Sequence, residues 1–206
     1  MNDMNDANAM KAVKAMHDGP RRLVQTALVS LNGVIGEPLR WAGPYFGPGS
    51  AQHSLEVLRR SEAMLMGRGT YELFSRQWPA APGPYAEHIN AMKKYVFSST
   101  LQEAGWTNTS VVAGDPAQAV AALKDTPGGD LIVYGHGRFG QTLCDAGLVD
   151  ELTLTVVPVF VDGAPYHRPG ALARSWELVG AGPGHDPGLA VLTYRPAGPG
   201  GAGSGS

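Results

Sequence analysis

Residues 129–160 read GDLIVYGHGRFGQTLCDAGLVDELTLTVVPVF, and this stretch decides the fold. Leu131-Ile132-Val133-Tyr134 is a short apolar run, the pattern of a buried strand. It breaks at Gly135-His136-Gly137 into a segment whose Phe139 and Leu143 lie one helical turn apart on one face. Gly147 is placed to end that helix, and Leu152 to Phe160 is a second, strongly β-prone run. The order is strand, glycine turn, helix, strand. Glycine lets backbone approach a ligand closely, and the unpaired amides at a helix start favour an anion such as phosphate.

Gly135-x-Gly137-x-x-Gly140 also matches the dinucleotide fingerprint letter by letter. A Rossmann unit then needs an acid about 20 residues on, at the end of the next strand. Here Asp150 and Glu151 precede that strand. A tight strand-to-helix turn without a ligand is the alternative, so the other segments must decide.

The 206 residues suit one domain with a sizeable core. A net charge of −2 with sparse charged residues points away from a nucleic-acid surface. A single cysteine, Cys144, rules out an intramolecular disulfide framework and fits a reducing cytoplasm. The chain has no apolar run of about 18 residues, so no membrane span is expected.

Residues 1–20 lack a strand or core pattern and read as a flexible N-terminal extension, with a helical turn or two over Ala9 to Met16. Residues 196–206, PAGPGGAGSGS, read as a disordered Gly/Ser-rich tail. Between them, residues 21–195 form the domain. Arg22 to Ser30 is a first strand that ends in the bent loop Ser30-Leu31-Asn32-Gly33-Val34-Ile35-Gly36. A Pro/Gly loop with Trp41, Tyr45 and Phe46 follows, suited either to contact a flat substrate or to plug the core. Ser50 is placed to cap a helix over Ala51 to Ser61. Ala63-Met64-Leu65-Met66 is a buried strand running into Gly67-Arg68-Gly69-Thr70, where Thr70 can cap the next helix or meet a phosphate oxygen. Ala86 to Met92 suits a helix; Tyr95-Val96-Phe97, ending in Ser98-Ser99-Thr100, and Val111 to Asp115 suit strands. Asp115-Pro116 starts a helix over Ala117 to Lys124, with proline at its first position. Trp176 to Gly180 and Leu189 to Tyr194 close the chain as an antiparallel pair.

The expected architecture is therefore α/β, a mixed central sheet flanked by helices. Ser30-x-Asn32-Gly33, Gly67-Arg68-x-Thr70, Ser98-Ser99-Thr100 and Gly135-x-Gly137 all stand at strand ends. In open α/β sheets ligands bind outside the carboxyl ends of the strands, so these four make one extended, phosphate-compatible groove.

On these residues the chain resembles the three-layer dihydrofolate reductase-like fold. Within it, the branch is that of the reductase domain of the bifunctional riboflavin-biosynthesis deaminase/reductase. The resemblance runs roughly from Arg22 to Arg195. It is carried by Ser30-Leu31-Asn32-Gly33-Val34-Ile35, residues 65–72 (LMGRGTYE), residues 94–101 (KYVFSSTL), Ile132 to Gly137, Gly147 to Leu152, and Val157-Pro158-Val159. It implies a reduced nicotinamide cofactor, usually NADPH with NADH possible, giving a hydride to a small heterocycle or an imine or carbonyl. By motif position it implies Asn32, Gly33 and Ile35 beside the nicotinamide. Gly67, Arg68 and Thr70 then hold the pyrophosphate and adenosine side, Ser98 and Ser99 the adenosine ribose, and Gly135, Gly137 and Arg138 the pyrophosphate from the other helix. It also implies a homodimer, with Leu152 to Phe160 as interface or as core.

The chain departs from the family pattern. Asn32 stands where an Asp is common, and Ser99 where an Arg or Lys is common, leaving Arg68 as the cation for a 2′-phosphate. Asp162 to His167 replaces a Gly-rich, Lys-containing turn, and the zinc-binding deaminase signature is lacking. Folate-reducing relatives carry an acid on the first helix, where this chain offers Gln52, His53 and Glu56. His53 is the candidate proton donor, against the alternative of an exposed helix-start histidine. His136 reads as a local packing residue. His167 and His185 lack metal-ligand spacing, so no metal site is expected.

Overall fold

The computed structural model describes residues 21–163, 166 and 175–198. The extension over residues 1–20, the tail beyond Gly198 and His167 in the turn after Pro158 lie outside the described residues. Eight strands form one sheet: β1 (Leu23–Ser30), β2 (Ser61–Gly67), β3 (Lys93–Phe97), β4 (Thr109–Val112), β5 (Asp130–Tyr134), β6 (Glu151–Val157), β7 (Trp176–Pro183) and β8 (Ala190–Pro196). Six α-helices connect them: α1 (Pro38–Trp41), α2 (Pro48–Arg60), α3 (Arg68–Gln77), α4 (Pro84–Ala91), α5 (Pro116–Lys124) and α6 (Arg138–Asp145). A single 3₁₀ turn, Gly43–Tyr45, follows α1.

The strand order is β4-β3-β2-β5-β1-β6-β8-β7. β1 to β6 pair in parallel, and β8 runs antiparallel to both β6 and β7. This is the expected mixed sheet, but not a Rossmann order. β5 and β6 flank β1 instead of lying side by side, so the glycine turn after β5 belongs to a different crossover from the one its letters spell.

β2 and β5 are nearly continuous apolar runs because helices cover both faces of the sheet. Ala63, Leu65, Leu131 and Val133 point to one layer, where they meet Val120 of α5 and Leu143 of α6. Met64, Met66 and Ile132 alternate to the other layer and meet Leu58 of α2, Tyr71 of α3 and Ile89 of α4. A third small cluster, Ala42, Val157 and Leu189, takes in Trp41 and Tyr45.

Several boundaries differ from expectation for clear reasons. α2 begins at Pro48, and Ser50 lies inside it. The cap comes from far along the chain: the Asp186 carboxylate accepts from the amides of Gly47, Gly49 and Ser50 at 2.8, 3.2 and 2.8 Å. The Ser50 hydroxyl first, and then these amides, hold the Asp186 carboxyl below its ordinary range. Ser61 opens β2 instead of closing the helix. β6 ends at Val157, leaving Phe160 exposed beyond it. Both edges of β6 are hydrogen-bonded, to β1 and β8, so no subunit can add a strand there. α6 ends as expected: Gly147 at φ +72° lets its own amide reach the Cys144 carbonyl and that of Leu148 reach Leu143, a Schellman closure.

Candidate functional site

In the sheet the carboxyl ends of β3, β2, β5 and β1 are consecutive neighbours. The polar strand ends singled out from sequence are thus brought side by side. After β2 the chain turns into α3 on one face; after β5 it turns into α6 on the other. Helices leaving adjacent strand ends in opposite directions open a crevice between them. That crevice is a cleft of about 500 Å³ lined by Gly67, Arg68, Gly69 and Thr70 from β2–α3 and by Ser98, Ser99 and Thr100 after β3. Tyr134, Gly135, Gly137, Arg138 and Phe139 line it from β5–α6. A second cavity, about 540 Å³, lies at the opposite ends of β3 and β4, between Lys93 to Tyr95 and the loop from Ala104.

Both helix starts at the cleft lack a side-chain cap. The N-cap residues are Gly67 and Gly137, and Thr70 sits within the first turn of α3 instead of capping it. First-turn amides without a cap, backed by the helix dipole, form an anion site. Gly67 also sets the width of the cleft. A Cβ there would stand 3.0 Å from Cβ of Phe139, whose ring stacks on Phe97 at 4.6 Å, so a larger residue would press the two helix starts apart by a few tenths of an ångström. Gly135, at φ +86°, makes the turn that aims the second helix start.

Two cations flank these amides. Arg138 is exposed at the start of α6. Arg68 is engaged: its Nε donates to Glu72 at 2.6 Å and its Nη1 to the Thr100 hydroxyl at 2.5 Å. The Ser98 hydroxyl accepts from the amides of Thr100 and Leu101, which fixes the loop beyond β3. With Ser99 here, the described residues place no second cation at this end, and Glu72 adds a carboxylate to it.

Asn32, Gly33 and Ile35 stand at the neighbouring strand end and are not among the cleft-lining residues. The Asn32 amide accepts from Ser30 Oγ at 2.8 Å and from the Val161 amide at 3.2 Å, and donates to the Val161 carbonyl at 2.9 Å. An Asp could not make that last bond, so here Asn32 staples the first loop to the chain beyond β6. Gly33, at φ +80°, closes the turn on Ser30 and accepts from the Tyr166 amide.

His53 does not line the cleft either. It lies on α2 and stacks on His185 of the β7–β8 turn, ring centroids 3.8 Å apart. Burial, then His185, push its pKa below the ordinary value. Trp41 and Tyr45 pack on the third core cluster, and the Trp41 indole donates to the Gly36 carbonyl at 2.8 Å; Phe46 is the exposed member of that loop.

Sequence reading missed Tyr134. Its ring forms part of the cleft wall, while its hydroxyl is buried without a hydrogen bond to any described residue. Burial, then the Tyr85 phenol, hold its pKa well above the ordinary tyrosine range. The available signal was a hydroxyl at the end of an otherwise apolar strand, one residue before the glycine turn. Among the described residues no group of three His, Cys, Asp or Glu could hold a metal ion, and no helix is long and apolar enough to cross a membrane.

Sheet order, three layers and a glycine-walled cleft across two opposed helix starts define the dihydrofolate reductase-like fold. The chain belongs to the RibD C-terminal domain family, whose model matches residues 21–181. It is 32% identical over 117 residues to the uncharacterized protein YyaP of Bacillus subtilis (strain 168), a match spanning 53% of this chain and 61% of that protein. A structure from Shewanella sp. PV-4, of a protein named for riboflavin biosynthesis, superposes with a TM-score of 0.70 at 21% identity, covering 86% of this chain and 99% of its own. Dihydrofolate reductase from Enterococcus faecalis, solved with NADP(H), gives a TM-score of 0.60 at 19% identity, covering 86% and 97%.

Proposed function

We propose that the protein is a reductase that takes hydride from a reduced nicotinamide cofactor, NADPH or NADH, lying along the cleft, and passes it to a small heterocycle, imine or carbonyl compound. One observation carries this reading: two uncapped helix starts, with Arg68 and Arg138, converge across a single glycine-walled cleft. Such a pair suits a pyrophosphate, which offers charge to both dipoles at once. Family membership and the NADP(H) bound by the Enterococcus enzyme support it.

In this reading the α3 and α6 amides and Arg138 hold the pyrophosphate, and Arg68, Ser98 and Ser99 meet the adenosine end. The cofactor supplies the hydride; the protein orients it and shields the reacting end from water. Phe97 and Phe139 form the apolar part of the wall. Tyr134 adds its ring to the wall, while its buried hydroxyl, beside the Tyr85 phenol, stays protonated and out of a substrate's reach. Glu72, 2.6 Å from Arg68 Nε, competes with a 2′-phosphate for that guanidinium, so the preference for NADPH over NADH is weak.

A second reading is a nucleotide-binding module without turnover. It is favoured by the cleft lining, which among the described residues contains no Asp, Glu, His, Lys or Cys to donate a proton. Titration of the purified protein with NADPH and with NADH, followed by tryptophan fluorescence and melting temperature, tests the shared part. Saturable binding with a rise in melting temperature is expected. No response to either in a folded sample overturns both readings. Oxidation of NADPH by a panel of cyclic imines and unsaturated heterocycles then separates them.

A further inference from the structure

The middle of β1 carries a glutamine where an apolar residue belongs. Gln25 is fully buried, at 0% exposure, and pairs in register with Val133 of β5 and Leu152 of β6. A buried primary amide is costly unless each of its polar atoms is matched. Here they are. Nε2 lies 2.9 Å from the Gly135 carbonyl and 2.8 Å from His136 Nδ1, and Oε1 accepts from the Cys144 thiol at 3.2 Å. The orientation of the amide is fixed, because a carbonyl oxygen only accepts, so the nitrogen must face Gly135. With that nitrogen donating to Nδ1, the His136 proton is on Nε2.

Each partner belongs to the turn or helix that forms one wall of the cleft. Gly135 and His136 are the turn itself, and Cys144 lies on α6. The surroundings are built to admit the amide. A Cβ on Gly140 would stand 2.4 Å from Gln25 Nε2 and 2.9 Å from the Gly135 carbonyl. His136 is held from its other side by a parallel stack on Tyr166, at 4.1 Å and 3°, and its carbonyl accepts from Gln141 at 3.0 Å.

We propose that Gln25 is a positioning residue for the cofactor: it pins the Gly135-His136-Gly137 turn from below, so that the amides at the start of α6 stand preformed for the pyrophosphate. The inference rests on the cofactor reading above, and it deepens that reading by assigning the hold on the turn to a residue outside the cleft. Gln25 touches no ligand; it acts through the Gly135 carbonyl and the His136 ring. Removing it leaves that carbonyl without its donor and His136 without its tautomer lock, while the Ser98–Arg68 end of the cleft is untouched.

The test is Gln25→Met, similar in volume and without a donor, measured three ways. NADPH affinity should fall about tenfold or more, the size expected when a preformed anion site loses one anchoring hydrogen bond. Affinity for 2′-AMP, which carries only the adenosine end, should stay within twofold of the parent. Amide hydrogen exchange across residues 135–138 of the ligand-free protein should quicken. NADPH binding within twofold of the parent overturns the proposal, as does a parallel loss of 2′-AMP binding, which marks a general fold defect. Unchanged exchange in the turn also overturns it. If the parent protein binds neither NADPH nor 2′-AMP, the cofactor reading fails by itself, and the exchange data still decide whether Gln25 holds the turn. Should Gln25→Met not fold, Gln25→Leu, which likewise offers the Gly135 carbonyl no donor, is read by the same measurements.

Discussion

Lys94 is 1% exposed, and among the described residues no carboxylate pairs with it. Its ammonium donates to the carbonyls of Ile89, Asn90 and Met92 at 2.8, 3.0 and 2.8 Å, at the C-terminal end of α4, and sits 4.6 Å above the Trp106 ring. The negative end of the helix dipole and the indole face favour the charge; burial opposes it and pushes the pKa from 10.5 down to about 8. Lys94→Met removes the donor and leaves helix-end carbonyls without a partner. Unmatched buried acceptors cost about 1–3 kcal/mol each, partly offset because no ammonium need then be desolvated, so a net loss of about 2–4 kcal/mol is expected at pH 7. The pH dependence has a definite sign. Between pH 8 and about 10 the unfolded chain keeps the Lys94 proton and the folded chain has lost it, so stability rises with pH across that window. A full depression adds about 2–3 kcal/mol by pH 10, an upper bound because the carbonyls and the indole hold the proton on. Urea unfolding of parent and variant at pH 7, 8, 9 and 10 measures this, since other titrating groups cancel in the difference. The gap should widen with pH. A gap that is constant or narrows refutes the reasoning, and so does a variant more stable than the parent at pH 7.

Arg68→Ala should weaken NADPH by about tenfold and NADH much less, and Glu72→Gln should shift preference toward NADPH; equal effects on both cofactors in fluorescence titration would remove Arg68 from the 2′-phosphate. His53→Asn should leave kcat and its pH profile unchanged, since the ring is committed to His185 away from the cleft; a large fall in kcat with loss of the alkaline limb would restore it as proton donor. Because the folded His53 pKa is depressed by burial, His185 and Arg60 against the pull of Glu56, the unfolded chain takes up the proton first. Stability should therefore fall as pH drops below about 6.5, and urea midpoints should show a shallower fall in His53→Asn. Gly49→Ala places a Cβ 2.1 Å from the His185 carbonyl, so it should displace the β7–β8 turn and lower the melting temperature by several degrees, about 1–3 kcal/mol; an unchanged melting temperature would mean that this turn is not clamped on α2.

The parts of the site legible in the sequence were those written in one local stretch. Gly67-Arg68, Ser98-Ser99 and Gly135-x-Gly137-Arg138 each sit at the end of a strand recognisable from its apolar run, and the sheet brings them together. What depended on distant chain was not legible. The cap of α2 is Asp186, 136 residues beyond Ser50, so the nearby serine was the natural local choice. The second wall of the first loop is Val161, which explains why Asn32 staples instead of facing the cleft. Whether Trp41 and Tyr45 contact substrate or fill the core stayed open in the sequence, because the residues they pack on, Val157 and Leu189, come from β6 and the β7–β8 turn.

The glycine fingerprint shows how a motif can be right about position and wrong about cause. Its spacing matches the dinucleotide fingerprint letter by letter, but the sheet order is not that of a Rossmann domain. Each glycine has a separate physical reason. Gly135 adopts positive φ, Gly137 begins α6 as an N-cap without a side-chain bond, and Gly140 leaves the space that the Gln25 amide crosses to reach the Gly135 carbonyl. A chain with Ala at the third position would keep the turn residues and lose the hold beneath them. Gly140→Ala should therefore reproduce the Gln25→Met loss of NADPH affinity, and combining the two should cost little more than either alone, because both act on one contact. Additive losses would show that the third glycine serves the ligand directly and that Gln25 has no part in aiming the turn.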